Sequence, residues 1–206
     1  MSTSGKMILT VDEAAERRRS IRKFQEEPVA REELDEILRV TGLAPSSYNT
    51  QPWRFVVVVD PEVKRKLAAA AYNQRQVLSA PAVIILYTDM ADALAKVDEI
   101  IPPGMKGEER ERFRSLVMNS YSPLSEADRE TFGAGQGYIA LGYLMLVAEA
   151  HGYQTSPMLG FEPGAVKKLL GLPAHVRIPA LVAIGKGAEE GFPHHRHQVS
   201  RVTRYV

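Results

Sequence analysis

Ala44-Pro45-Ser46-Ser47-Tyr48-Asn49-Thr50-Gln51-Pro52-Trp53 separates an apolar helical pattern from an apolar strand pattern, and its reading decides the rest of the chain. Hydroxyls, amides and two prolines crowd into this stretch. Such a loop displays fixed hydrogen-bond donors and acceptors, which suit a planar polar ligand better than a core. About twenty residues upstream, Arg17-Arg18-Arg19-Ser20-Ile21-Arg22-Lys23-Phe24 places four arginines within six residues. That is enough local positive charge to hold a phosphate, because guanidinium groups bind phosphate oxygens bidentately. The alternative is a solvated basic helix end, where arginines favour the C-terminus.

On either side of the loop the periodicities are clear. Leu34, Ile37, Leu38 and Thr41 recur at helical spacing, which predicts a helix over about 31–43. Arg54-Phe55-Val56-Val57-Val58-Val59-Asp60 predicts a strand covered on both faces. Thr10-Val11-Asp12-Glu13 has the form of a capping box and predicts a helix running to about Arg17. Pro28 ends the extended piece that follows, and Pro61 suits the first turn of an Ala-rich helix to about Tyr72.

Further along, Ala82-Val83-Ile84-Ile85-Leu86-Tyr87 and Ile178-Pro179-Ala180-Leu181-Val182-Ala183-Ile184-Gly185 predict two more strands. An almost uniformly apolar helix is expected over 135–151 with Gly152 as its cap, and a short helix over about 163–170. Residues 88–131 are polar and mixed, which reads as helices and loops inserted between core elements. Phe192 to Val206 is polar, basic and without a core of its own.

Composition narrows the class. At 206 residues the chain suits one domain spanning 1–206, with 45% hydrophobic and 25% charged residues. A formal net charge of +1 gives no general pull toward nucleic acid or membranes. The absence of cysteine excludes disulfides, thiolate metal sites and cysteine nucleophiles. The N-terminal apolar run, Met7-Ile8-Leu9, is too short for a signal peptide, and no apolar stretch reaches the ~18 residues of a membrane span. The expected location is cytoplasmic.

The arginine segment and the polar loop, in this order and spacing, resemble the nitroreductase family of FMN-dependent oxidoreductases. Its pattern is a basic R-R-S-x-R segment followed by P-S-S-x-N-x-Q-P-W. The resemblance covers about residues 14–87 and 133–206. It implies an α+β fold, a three-layer α-β-α sandwich with a mixed, mainly antiparallel sheet. It also implies an intertwined homodimer with two FMN sites at the interface.

The resemblance carries roles to matching positions. Arg18 and Ser20 match the segment that grips phosphate and ribityl groups. Arg22 matches the basic residue near the flavin N1–C2=O edge, and Arg19 falls where members vary. Pro45, Ser46, Ser47, Asn49 and Gln51 match a loop that the second subunit contributes over the same flavin. Read on its own, that stretch is a Ser/Asn turn plugged by Trp53.

Asn73 matches an asparagine at the pyrimidine edge; alone it is a surface amide. Pro157, Met158, Leu159 and Gly160 match the segment whose backbone amides face flavin N5 and O4. Leu159 stands where some relatives carry a glutamate, a departure that bears on substrate polarity. In the tail, Arg196 stands where relatives complete the phosphate site, with His195 and His197 as weaker matches. The clustered tail histidines are not expected to build a metal site.

The implied reaction is two-step. NADH or NADPH delivers a hydride to the flavin, which then passes electrons to a small electron-poor acceptor such as a nitroaromatic, quinone or activated alkene. No catalytic side chain is required, since the flavin carries the chemistry. The same scaffold also supports dehydrogenase and dehalogenase chemistry, and a non-catalytic FMN-binding module is the reading from a different class. The inserted segment at about 88–132, with Phe113, Tyr121 and Phe132, is the expected lid.

Two other chemistries fail on the sequence. Gly133-Ala134-Gly135-Gln136-Gly137 imitates a dinucleotide fingerprint, but the third glycine of G-x-G-x-x-G falls at Tyr138, and Glu126-Ala127-Asp128-Arg129-Glu130 is no strand. These glycines are expected to begin the apolar helix and to admit another backbone. There is no G-x-S-x-G for nucleophilic hydrolysis, and Glu108-Glu109-Arg110-Glu111-Arg112 reads as a solvated helical face.

Overall fold

The computed structural model of the chain describes residues 8–206, so the signal-peptide reading, which concerns the first residues, falls mostly outside it. Four strands make one sheet: β1 (Trp53–Val58), β2 (Ala82–Thr88), β3 (Gln154–Met158) and β4 (Arg177–Gly185), in the order β1-β2-β4-β3. All three ladders are antiparallel. A parallel component comes from an isolated bridge between Ser20 and Thr155.

The central strands explain the three layers. Side chains alternate across a strand, and in β2 and β4 both sets are apolar and buried. Ile84, Leu86, Val182 and Ile184 pack on one face against Leu34 and Ile37 of α2 (Arg31–Thr41) and Ala140, Leu141 and Leu144 of α8 (Glu126–Ala150). Val83, Ile85, Leu181 and Ala183 pack on the other. There they meet Leu67 of α3 (Pro61–Ala70), Val77 of α4 (Arg75–Ser79) and Val166 of α9 (Pro163–Leu170). Each such Leu or Ile withdrawn from water contributes about 2 kcal/mol.

The caps are chemically explicit. Thr10 and Glu13 form the reciprocal capping box of α1 (Val11–Arg17). Gly152 follows α8 with φ +76°, a conformation costly for other residues.

Between β2 and α8 the chain makes an excursion through α5 (Met90–Ala95), α6 (Val97–Ile100) and α7 (Gly107–Tyr121). It has a small core of its own, in which Met90, Leu94, Val97, Ile100, Val117 and Tyr121 are buried together. The tail beyond Phe192 is exposed, with a single turn of helix, α10 (Val199–Val202).

Three readings need correction. The apolar helix starts at Glu126, so Gly133, Gly135 and Gly137 lie inside it. Its polar first turn hides the start, which Ser125 caps by accepting the Asp128 N–H at 3.1 Å. β1 is an edge strand with half-exposed residues rather than one covered on both faces. β3 was not anticipated, because Gln154-Thr155-Ser156-Pro157-Met158 carries a proline and polar residues; it too is an edge strand, where proline is tolerated.

Finally, α8 is long and apolar enough to cross a membrane, with 25 residues and a mean hydropathy of 1.2 in its most apolar window. Here it packs on the sheet instead. Gly133 and Gly137 permit the approach: a Cβ at Gly133 would lie 2.5 Å from Met90 Cγ, and one at Gly137 2.7 Å from Thr88 Cγ2.

Candidate functional site

The arginine segment leaves α1 and is pinned to the sheet beside β3. The Ile21 N–H donates to Thr155 O at 3.0 Å, next to the Ser20–Thr155 bridge. The tail returns over the same place, and His194 Nε2 lies 3.2 Å from Ala15 O. Together they enclose a cavity of about 200 Å³ lined by Arg18, Arg19, Ser20, Arg22, Phe192, Pro193, His194 and Arg196. No carboxylate lines it.

These arginines are not equivalent. Arg19 Nη1 is committed to the end of α1, donating to Glu16 O at 2.7 Å and to Arg17 O and Arg18 O at 3.0 Å. That is the helix-end role its position allowed. The Arg18 guanidinium makes no hydrogen bond among the described residues. Partial burial, then repulsion from Arg196, push it below its usual pKa, while Glu149 opposes the shift. A half-buried, unspent guanidinium beside a second arginine has its donors available for an anion.

His195 and His197 do not line the cavity; His194 does. The distinction depends on how the tail turns, which residue type does not reveal.

β3 runs from this cavity toward a second predicted segment. Pro157 and Met158 end the strand, and Leu159 and Gly160 follow it, with Leu159 67% exposed. Gln74 Nε2 donates to Gly160 O at 2.6 Å, which brings the Asn73 turn against the 159–160 segment. Arg18 through Arg22, residues 157–160 and Asn73 thus lie along one side of the sheet.

The polar loop lies elsewhere. Ser46, Ser47, Asn49 and Gln51 belong to a tight turn with a short 3-10 segment, Ser47–Asn49. It is closed by Ser46 Oγ, which accepts the Gln51 N–H at 3.0 Å, and by the Thr50 hydroxyl, which donates to Ser47 O at 3.0 Å. Pro45 leads into it and is exposed. Its tertiary partners are on the excursion and α8: Asn49 Nδ2 donates to Ile100 O at 3.0 Å, and the Ser47 N–H donates to Gln136 Oε1 at 2.9 Å. No described hydrogen bond joins it to the arginine cavity.

Backbone strain singles out the same segments. Tyr48, Asn49, Gln51, Tyr72 and Asn73 have φ between 40° and 58°, and they are the non-glycine residues with positive φ among the described residues. Such conformations cost roughly 1–3 kcal/mol each and cluster at functional sites. All five fall in the two loops singled out from the sequence.

One cluster was not legible beforehand. Asp89, Glu130 and His175 bring ligand-type atoms within 4.8 Å of one another. Their lone pairs are largely spent. Glu130 accepts the Met90 and Ala91 N–H groups at 3.2 and 3.0 Å, and Asp89 accepts that of Asp92 at 2.8 Å and lies 3.1 Å from His175 Nε2. Burial pushes the Glu130 carboxyl above the usual range, and the two backbone donors draw it back. The group caps the start of α5.

The chain as a whole has relatives among known proteins. Residues 15–186 match the family described as "Nitroreductase family". The chain is 48% identical over 195 residues to a protein of Thermus thermophilus named "NADH dehydrogenase", covering 95% of each. It is 36% identical over 209 residues to the "Putative NAD(P)H nitroreductase YdgI" of Bacillus subtilis, covering 97% of this chain and 100% of that one. Among solved structures, a putative nitroreductase from Exiguobacterium sibiricum, in complex with FMN, superposes with a TM-score of 0.88 at 30% identity, covering 98% and 100%.

Proposed function

The chain belongs to the nitroreductase family of NAD(P)H oxidoreductases, and from that premise we propose that it is an FMN-dependent enzyme reducing a small electron-poor acceptor. The observation that carries this reading is the arginine cavity: Arg18, Ser20 and Arg22 meet Arg196 from the far end of the chain. The cavity suits the terminal phosphate of FMN, a near-dianion with three acceptor oxygens. When bound, FMN supplies a two-electron relay from NADH or NADPH to a nitroaromatic, quinone or activated alkene.

The chain's own residues bind and orient. Arg18 and Arg196 neutralise the phosphate, and the Ser20 hydroxyl adds a donor in the same cavity. Arg22, exposed at the rim of the same cavity, adds a positive charge that can serve the ring edge where reduction of a flavin places negative charge. The exposed 159–160 segment, with Asn73 in the turn against it, follows β3 on from the cavity and is offered to the ring of the same flavin.

The polar loop requires a second copy of the chain. Its hydrogen bonds run to the excursion and α8, away from the arginine cavity, so within one chain it is not joined to that cavity. α8 also leaves Tyr138 and Tyr143 49% and 40% exposed. With Ile8, Val11, Val40 and Leu146, Tyr143 lines an apolar groove of about 420 Å³. A homodimer, cytoplasmic and intertwined through the exposed tail, covers that surface and brings the loop to the partner's site.

The excursion serves as the lid over the acceptor. Absorption spectroscopy of the purified protein tests the central reading: flavin bands near neutral pH, bleached on adding NADH or NADPH. A colourless protein that gains no flavin bands with added FMN sinks it, and bound flavin inert to both nicotinamides favours a binding module.

A further inference from the structure

The glycine-rich stretch at 133–137 resembles no cofactor fingerprint in its structural setting, yet it has an identifiable use. Gly133 and Gly137, one turn apart, press α8 against Met90, Thr88 and Pro179, where any side chain would collide. Between them Gln136 stands half-buried on another face of the helix. Its Oε1 accepts the Ser47 N–H at 2.9 Å across a sequence separation of 89 residues. The glycines fix where the helix lies, and the glutamine passes that position on to the loop.

The loop needs such a contact. Tyr48, Asn49 and Gln51 hold φ of 50°, 58° and 40°, a conformation that side chains resist and that persists only when surroundings over-determine it. Local bonds close the turn on itself. Its C-terminal end is held to the sheet by Arg54 Nη1, which donates to Gln51 O at 2.9 Å, and by the Asp89 N–H, which donates to Pro52 O at 2.9 Å. These leave Ser47 to Asn49 at its other end unplaced. That placement comes from long-range contacts, among them the Asn49 bond to Ile100 and the Gln136 bond to Ser47. The first partner belongs to the excursion. Gln136 belongs to the helix at the centre of the fold.

We propose that Gln136 is a positioning residue for the cofactor-binding loop, acting through the Ser47 amide to hold the loop in its strained, binding-competent shape. This rests on the flavin reading given above. It assigns a role to a residue that is not itself a predicted cofactor contact and acts only through one, Ser47. Loss of the acceptor leaves the Ser47 N–H unsatisfied and lets the loop relax away from positive φ, so the bound state must first pay to re-form it.

The test compares Gln136→Met, similar in length but without the acceptor, with Gln136→Glu, which keeps an oxygen at the same position. FMN dissociation constants and melting temperatures of the flavin-free proteins are measured for each. Gln136→Met is expected to bind FMN about tenfold more weakly, the effect of one lost hydrogen bond, with its flavin-free melting temperature near wild type. Gln136→Glu is expected to recover binding to within about threefold, a residual of well under 1 kcal/mol.

A Met variant that binds FMN as tightly as wild type overturns the proposal. So does a Glu variant as weak as Met, or a loss of affinity matched by a large fall in flavin-free melting temperature, which marks a general stability role. If wild type itself binds no FMN, the flavin reading fails and this inference with it. If wild type binds and all variants bind alike, only the role of Gln136 fails.

Discussion

The Ser120 hydroxyl on α7 lies 3.1 Å from the Tyr48 hydroxyl, so the last turn of the excursion's main helix touches the strained residue of the polar loop. The Tyr48 ring also meets Tyr121 edge to face at 6.1 Å, and Tyr121 meets Phe132 at 5.5 Å. An aromatic residue with φ of 50° is a costly choice at a turn. The contacts with α7 offset that cost. The excursion, expected from the sequence as a lid, is therefore tied mechanically to the polar loop.

Tyr48→Phe tests this link. It keeps the ring stack and removes the hydroxyl pair, for an expected loss of about 1 kcal/mol. Hydrogen exchange at the amides of Ser47 to Thr50 should quicken, and Ser120→Ala should quicken the same amides. Exchange unchanged in both variants would separate the excursion from the loop.

Arg18 carries the sharpest functional prediction. Its guanidinium has no hydrogen-bond partner among the described residues and stands beside Arg196, whereas Arg19 is occupied at the end of α1. Arg18→Ala should weaken FMN by about a hundredfold, in line with ~2–3 kcal/mol for a charge-assisted bidentate contact. Riboflavin, which lacks the phosphate, should bind both proteins equally. Arg19→Ala should cost mainly helix stability. Fluorescence titration of the two flavins separates these outcomes, and equal loss of both would remove Arg18 from the phosphate site.

What could be read beforehand followed from residue type and local spacing. Guanidinium clusters, a capping box and β-branched runs declare their chemistry in a few consecutive residues. The buried strands β2 and β4, α9 and the basic segment were therefore legible, whereas the return of Arg196 to that segment was expected only from the family resemblance. Properties set by register or by distant partners were not. β3 lacks an apolar run because its buried positions include the polar Thr155 and Ser156, and the start of α8 hides behind Glu126, Asp128 and Glu130. Gln136 looks like a surface amide until Ser47 is placed beside it, and Asp89 shows no kinship with His175 until the chain folds.

Glu149 gives a pH prediction. It sits near the negative end of α8, only 6% exposed, and its Oε2 has no hydrogen-bond partner. Burial pushes its carboxyl above the usual range; a bond from Gln154 and the charges of Arg18, Arg17 and Arg19 draw it down without cancelling the effect. For a raised acid, the folded state favours the protonated form. Its stabilising contribution is present below the unfolded value and is lost as pH rises through the folded one. Glu149→Gln mimics the protonated form at every pH. Relative to wild type it should gain stability as pH rises from the ordinary glutamate range through the raised value, then level off. Urea unfolding at a series of pH values reads this directly, and a constant difference between the two proteins would contradict it.

Dimerisation and flavin binding should fail together. Leu146 and Val147 line the apolar groove on α8 with Ile8, Leu9 and Tyr143, a concave apolar surface that suits a partner. The polar loop is bonded to the excursion and α8, while the arginine cavity is built from the opposite end of β3 and the tail. If the loop completes the site of the second copy, neither half binds well alone. Leu146→Glu places a carboxylate in the groove. It should yield a monomer by light scattering, because burying an unpaired charge costs far more than one apolar contact returns. The same monomer should lose FMN affinity although every arginine of the cavity is intact. A folded Leu146→Glu monomer that binds FMN as tightly as wild type would show that one chain builds the whole site, and the second copy would then have no part in holding the flavin.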